Sequence, residues 1–497
     1  MAARPPGTGD LPEGGIEKVE LQNETLPNDS FIYDNASNNP TQINEKALLR
    51  KLDLNLLPPL TLLYLLSFLD RSNVGNAKLE GLTKDLDISG GQYLTTLTVY
   101  FIGYVLFEIP CNIILKRTTP RLWLPTLMFF WGVVATLLGV CSNFAGFLAA
   151  RFFLGVTESG LFPGVVFYLS MWYKRSEQQY RIALFFSAAS LAGAFGGILA
   201  YGIGFMNGVG GLRGWKWIFI LEGLLTVVVA VASYFFIHNY PSTARFLKED
   251  ERALIHARLK GNSDATNDEP FLWSNVRAAL ADPKCWLYSL AFHTLSLPLY
   301  TLSLFLPTII TALGYTAAHA QLLTVPPYAV ATILTITFAM LSEKTKYRAY
   351  FILGADLLAI VGYIILLTAP TSKAGVSYLG TILAAGGIYP ATAIVLSWPA
   401  NNVSGQTKRA TANAMQISIG NLGAVLGTQL YRPETSPRYH LGHGFALGYF
   451  VGNCFVVLSI YFLLRRENKK KYALQEGSIA QDGPIQDDED VRFIFQT

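Results

Sequence analysis

Long stretches almost free of charge recur along the whole chain, and this recurrence limits what it can fold into more than any other feature. The first runs from Leu54 to Leu69. Others lie near Tyr93 to Leu115, Leu122 to Val140, Phe144 to Trp172, Ile182 to Met206 and Trp217 to Ile237, and again near Cys285 to Leu313, Ala320 to Leu341, Tyr350 to Ala369, Val376 to Trp398, Ala410 to Leu430 and Gly444 to Leu464. Each approaches the ~20 apolar residues that cross a hydrocarbon core as a helix. Of the 497 residues 51% are hydrophobic and 14% charged, with a mean hydropathy of +0.34. The expected class is an all-α membrane protein with about twelve transmembrane helices.

Basic residues gather in alternate short connections: Lys116, Arg117 and Arg121; Lys174, Arg175 and Arg181; Lys344, Lys346 and Arg348; Lys408 and Arg409; then Arg465, Arg466 and Lys469 to Lys471. By the positive-inside rule both termini are expected in the cytoplasm. Residues 1–50 are polar and lack the pattern of a signal peptide, so a disordered tail is expected. There Asn23, Asn28 and Asn35 open N-x-Ser/Thr sequons, which a cytoplasmic tail would never present for glycosylation. Cys111, Cys141, Cys285 and Cys454 show no paired spacing and read as small apolar residues.

A polar, mixed-charge stretch at 239–284 divides the runs into a six-helix bundle at 51–238 and another at 285–465, followed by a cytoplasmic tail at 466–497. A short internal echo supports two parallel halves. Gly160-Leu161-Phe162-Pro163 reappears as Gly387-Ile388-Tyr389-Pro390, and each copy precedes a basic turn and a Gly-rich helix, with Gly193, Gly196 and Gly197 in one and Gly420, Gly423 and Gly427 in the other. Those small residues are expected to form packing seams.

Ionisable residues at membrane depth are costly unless they face a cavity or a partner, which makes each a functional candidate. Arg151 and Glu158 lie seven residues apart, ~10 Å along one helix face and too far for a direct pair. An arginine can hold a carboxylate by two hydrogen bonds, and a desolvated glutamate can exchange a proton near neutral pH. Anion binding coupled to proton movement is one reading; a structural lock between helices is the other. Asp70 and Arg71 are neighbours whose directions diverge by ~100°, so Arg71 is expected in the cavity and Asp70 as its partner or a surface cap. Glu108 is expected in a cytoplasmic gating contact, Glu222 as a helix anchor, and His293 and Asp356 as hydrogen-bonded packing residues. Tyr100, Tyr104, Tyr300 and Tyr389 either line a pocket or pack the core.

Several of these segments together resemble a known family, the fungal allantoate permease group of the anion:cation symporters within the major facilitator superfamily. The resemblance spans roughly residues 50–465 and rests on Asp70-Arg71-Ser72-Asn73-Val74-Gly75-Asn76-Ala77, Glu108-Ile109-Pro110-Cys111-Asn112, Arg151 to Gly160, Trp215-Lys216-Trp217-Ile218-Phe219, Trp398-Pro399-Ala400-Asn401-Asn402 and Thr407-Lys408-Arg409. The late segment Tyr431-Arg432-Pro433 with Pro437-Arg438-Tyr439 is most similar to the nicotinate-permease branch. The resemblance implies a major facilitator fold and proton-driven uptake of a small carboxylate or vitamin such as nicotinate, allantoate or pantothenate. It also implies that Arg71 and Arg151 meet the anion and that Glu158 handles the proton; Asn402 is expected to serve gating or structure.

The expected function is thus secondary transport, with a small organic anion, protons and the lipid bilayer as partners, and no nucleic acid or obligate protein partner. Export of a carboxylated metabolite and ligand binding without transport are the alternatives. No nucleophile–base set, metal-ligand cluster or phosphate-binding loop stands at membrane depth, so no enzyme, metal or cofactor is expected. A plasma-membrane permease is the preferred expectation, with a vacuolar membrane compatible with the same topology.

Overall fold

The computed structural model describes residues 44–260, 272–370, 372–476, 488 and 490–497. The expected tail up to residue 43, with its three sequons, lies outside them. Six long helices form the first half: α1 (Glu45–Leu79), α2 (Gly90–Arg117), α3 (Pro120–Leu138), α4 (Phe144–Ser170), α5 (Arg175–Gly204) and α6 (Gly214–Phe236). Six more form the second: α7 (Pro283–Ala312), α8 (Val325–Thr345), α9 (Arg348–Thr368), α10 (Ala374–Asn402), α11 (Gln406–Gly427) and α12 (His440–Glu476). Helix suits long apolar runs in lipid, because each backbone amide then finds its partner within the segment.

Local chemistry sets where the helices start and break. Ser89 caps α2 with a reciprocal box, its hydroxyl accepting from the Gln92 amide at 3.2 Å while Gln92 accepts from the Ser89 amide at 2.8 Å. Asn143 caps α4 by accepting from the Gly146 amide at 2.8 Å. Helix α4 is interrupted at Ser159 and Gly160, between Phe144–Glu158 and Leu161–Ser170, because Pro163 has no amide to offer the Ser159 carbonyl. The echoed proline motifs fall on α4 and α10, the fourth helix of each half.

Helix α1 begins nine residues ahead of the expected apolar run, and α12 continues to Glu476; hydropathy marks only the part a membrane would cover. Among the described residues, eleven helices are long and apolar enough to cross a bilayer. The span expected at Ala410 to Leu430 is also a helix, α11, at 22 residues long enough but more polar. Its polar side chains point into protein: Gln416 donates to the Val395 carbonyl at 2.8 Å, and Ser418 reaches Glu108 across the halves.

Helices α7 and α10 are central and largely buried, whereas α12 is mostly exposed. The halves meet where α5 lies against α8 and α10 and where α2 lies against α11. Small residues permit these approaches: a β-carbon on Gly197 would stand 2.2 Å from Thr324 Oγ1, and one on Gly193 would stand 2.6 Å from the Tyr328 ring. Within the expected polar stretch, helix Glu249–Lys260 is held to the first half by Arg258–Glu177 at 2.5 Å and Lys51–Glu251 at 2.7 Å. It lies on the face where α1 begins and α12 ends, called here the terminal face.

Candidate functional site

Three helices of the first half aim their charge at one point between the halves. On α1, Ser67 and Arg71 are four residues apart and so share a face. On α2, Tyr100, Tyr104 and Glu108 repeat at the same interval, and on α4 the seven-residue step puts Arg151 and Glu158 on one side. Gly155 lets α4 close on α2, since a β-carbon there would lie 2.0 Å from the Tyr100 carbonyl.

Glu158 is fully buried, and its Oε2 is the hub. It accepts from Tyr100 Oη at 2.8 Å, Ser67 Oγ at 3.1 Å, and Arg71 through Nη2 at 3.0 Å and Nε at 3.3 Å. Its other oxygen, Oε1, has no hydrogen-bond partner among the described residues. Arg71 also donates from Nη1 to Tyr300 Oη on α7 at 2.9 Å. Its guanidinium carbon lies 5.3–5.6 Å from the ring centres of Phe68, Tyr100, Tyr104 and Tyr300, a cage that favours a cation.

Arg151 is different. It is buried with its guanidinium 5.5 Å from the Tyr100 ring, and its Nε and Nη1 have no hydrogen-bond partner among the described residues. A buried cation with open donors is costly by itself and suited to an incoming anion.

A small cavity adjoins this cluster, lined from the first half by Tyr64, Arg71, Tyr104, Phe162 and Phe186, and from the second by Phe292, Tyr300, Leu396, Ile417 and Asn421. Contacts between the halves lie on both sides of it. Away from the terminal face, Gln321 donates to Glu80 at 2.9 Å and Thr98 meets Thr428 at 2.7 Å. Toward the terminal face, Gln179 meets Ser342 and Asn401, each at 3.4 Å.

The structure brings Arg71 and Tyr104 to this cavity, joins Glu158 to it through Arg71, and sets Arg151 behind Tyr100. Asp70 departs from expectation: it neither pairs with Arg71 nor caps the surface. Buried behind α1, its Oδ2 accepts from Trp131 Nε1 at 3.1 Å and Thr226 Oγ1 at 2.9 Å, bracing α1 against α3 and α6. Tyr389 is not in the cavity lining but packs behind it against Phe68, Phe186 and Tyr328. Glu108 is fully buried and accepts from Ser418 at 3.3 Å, one helical turn from the cavity residue Tyr104 rather than at the basic loop. Asn402 bonds Tyr288 Oη at 2.9 Å at the terminal end of α10.

Glu222 accepts from Asn73, His293 meets the Ile419 carbonyl at 3.0 Å, and Asp356 accepts from Asn453 at 2.7 Å, all packing contacts between helices. The four cysteines are free. Sequence reasoning missed Ser67, whose four-residue spacing from Arg71 was a usable signal. It also missed Phe292 and Asn421, whose place at the cavity depends on how the halves meet.

Comparison with known proteins agrees with this architecture. The pattern of the Major Facilitator Superfamily matches residues 60–428. The chain is 40% identical over 466 residues to the MFS-type transporter cnsO of Penicillium expansum, covering 89% of this chain and 90% of that one. It is 34% identical over 473 residues to the high-affinity nicotinic acid transporter of Saccharomyces cerevisiae, covering 95% and 88%. In fold it resembles a bacterial homolog of the human lysosomal transporter Spinster in its inward-facing, unoccupied conformation, with a TM-score of 0.61 at 17% identity over 85% of this chain and 97% of the other. The chain, with its paired helical halves and central cavity, belongs to the Major Facilitator Superfamily and is a multi-pass membrane transporter.

Proposed function

We propose that this transporter takes up a small organic anion, a carboxylate or vitamin such as nicotinate, allantoate or pantothenate, together with protons. The observation that carries the reading is the buried Arg71–Glu158 pair beside an Arg151 with open donors. While Glu158 is ionised, Arg71 already has its carboxylate. A proton on Glu158 neutralises that partner and leaves a buried guanidinium, a situation that costs about 3–5 kcal/mol. A substrate carboxylate entering the cavity replaces the lost charge, so proton and anion favour one another by at least about a hundredfold.

In this reading Arg71 and Arg151 bind the anion, Tyr104 and Tyr300 flank it, and Glu158 carries the proton. The loaded site, with its charges balanced, then permits the halves to rock about the cavity. The basic connections support a cytoplasmic terminal face, and the plasma membrane is the proposed place for such a scavenger. The nicotinic acid transporter among the relatives supports a carboxylated substrate.

The test is uptake of a labelled carboxylate panel, led by nicotinate, into cells expressing the protein at acidic and neutral external pH, with and without a protonophore. Uptake that rises in acid, collapses with the protonophore and disappears in Arg151→Ala is expected. A correctly localised protein that accumulates none of the panel under any condition would overturn the assignment.

A further inference from the structure

The last residues of the chain are bound into a groove on the terminal face of the second half. Phe493 and Phe495 alternate with Ile494 as in a strand and turn the same way, each less than 5% exposed. The backbone beside them is read by carboxamides. Asn468 of α12 donates to the Phe495 carbonyl and accepts from its amide, both at 2.8 Å. Asn402 of α10 does the same for Gln496, at 2.9 and 2.8 Å, and Trp398 Nε1 adds a bond to the Gln496 carbonyl at 2.9 Å.

Charge completes the groove. Lys471 donates to the carbonyls of Asp488, Asp490 and Phe493 at 2.6, 3.0 and 3.0 Å and lies 4.4 Å from the Phe495 ring centre. Lys284 of α7 lies 4.6 Å from the same ring centre. Lys408 of α11 pairs with the Asp488 carboxylate at 2.8 Å. The Arg348 amide at the start of α9 donates to the Thr497 carbonyl at 2.6 Å, and its guanidinium reaches the Gln496 side chain. The segment therefore ties together the terminal ends of α7, α9, α10, α11 and α12.

Two of those ends also close the terminal side of the cavity. Arg348 Nη1 donates to Ser342 Oγ at 3.4 Å, and Ser342 is one partner of Gln179 in the first half; the other is Asn401, beside Asn402. The groups that hold the chain end are thus one residue or one hydrogen bond from the groups that join the halves.

We infer that this groove is a peptide-binding site whose occupant is the chain's own residues 490–497, and that its occupancy holds the Gln179 gate to Ser342 and Asn401 closed. Opening of the terminal face then requires the segment to let go of Arg348 and Asn402. Any modification or partner that captures the chain end acts as an opener. The inference needs only a carrier that opens on its terminal face, and does not depend on the substrate or the proton proposed above.

The test uses Gln179→Cys with Asn401→Cys in a full-length chain whose four native cysteines are changed to Ser. The rate of crosslinking by a short bifunctional thiol reagent is compared with that of the same protein ending before Asp488. Loss of the segment is expected to slow crosslinking about fivefold and to raise labelling of the single Gln179→Cys from the terminal face by a similar factor. A synthetic peptide of residues 488–497 restores the original rates. Should the shortened chain fail to fold, full-length Phe495→Asp takes its place with the same expected shifts. Unchanged crosslinking and labelling in a folded variant of either kind, or no response to the peptide, would overturn the inference.

Discussion

The two halves of this transporter share one helical plan but handle charge differently. The first buries Asp70, Arg71, Glu108, Arg151, Glu158 and Glu222, with Arg71 and Glu158 at the centre. The second offers the same cavity Phe292, Tyr300, Leu396, Ile417 and Asn421, with no ionised group among them; its buried charges lie elsewhere, Asp356 between α9 and α12 and Lys284, Arg348 and Lys471 at the terminal face. The difference teaches that repeated architecture does not require repeated chemistry. One half can bury the charges while the other supplies shape and a single hydroxyl to Arg71.

Changing the charged half sharpens that comparison most. Arg71→Ala and Arg151→Ala are expected to reduce anion uptake by more than about a hundredfold, the scale of losing a buried charge-assisted contact. Arg71→Ala additionally lowers thermal stability, because Glu158 keeps a buried carboxylate without its cation. Arg151→Ala leaves stability at or above that of the parent, because its open donors cost rather than stabilise. Equal stability losses in the two variants, read by melting in detergent, would erase the distinction between a paired and an open arginine.

Glu158→Gln is the next largest. It keeps the size of the side chain and the acceptor for Tyr100 and Ser67 but fixes a neutral state. Proton-driven accumulation and its dependence on external pH are expected to vanish, while exchange of external for internal anion persists. Unaltered pH dependence in this variant would move the coupling to another acid, Glu108 or Asp70 first. In the second half, Tyr300→Phe removes the hydroxyl that receives Arg71 Nη1. Hydrogen bonds to charged groups contribute ~1.5 kcal/mol or more, so KM should rise about tenfold with little change in pH dependence. A Tyr300→Phe carrier that lost its pH response would place ion coupling in both halves.

The smallest effect is expected at Asp70→Asn. Its carboxylate oxygen serves Trp131 and Thr226 on the far side of α1, and an amide oxygen can accept from the same groups. Uptake should fall less than about threefold and keep its pH profile, since this is a brace rather than a carrier of charge. A loss as deep as that of Arg71→Ala would contradict that role.

What could be read from the sequence divides along physical lines. Hydropathy runs show where helices cross because lipid leaves the backbone one solution, so α1 to α10 and α12 stand near their expected places. The glycines of α5 and α11 were legible as seams because close packing needs small residues. The Arg71–Glu158 pair was not legible: its members are 87 residues apart and meet only because α1 and α4 present them at one depth. Adjacent Asp70 and Arg71 showed that their directions must diverge but not which way each points. The bound chain end was hidden for another reason. A few residues around Phe493 and Phe495 carry no periodic signal long enough to distinguish a docked strand from a tail, and their partners lie on five different helices.

In the proposed coupling, proton and anion exchange partners at Arg71. The most direct measurement is proton uptake by the purified protein, in weakly buffered detergent with a pH indicator, on addition of the best-transported member of the carboxylate panel. About one proton is expected to be taken up per anion bound by the parent, and none by Glu158→Gln that still binds the anion. Anion binding without proton uptake in the parent, or equal uptake in both proteins, would contradict it.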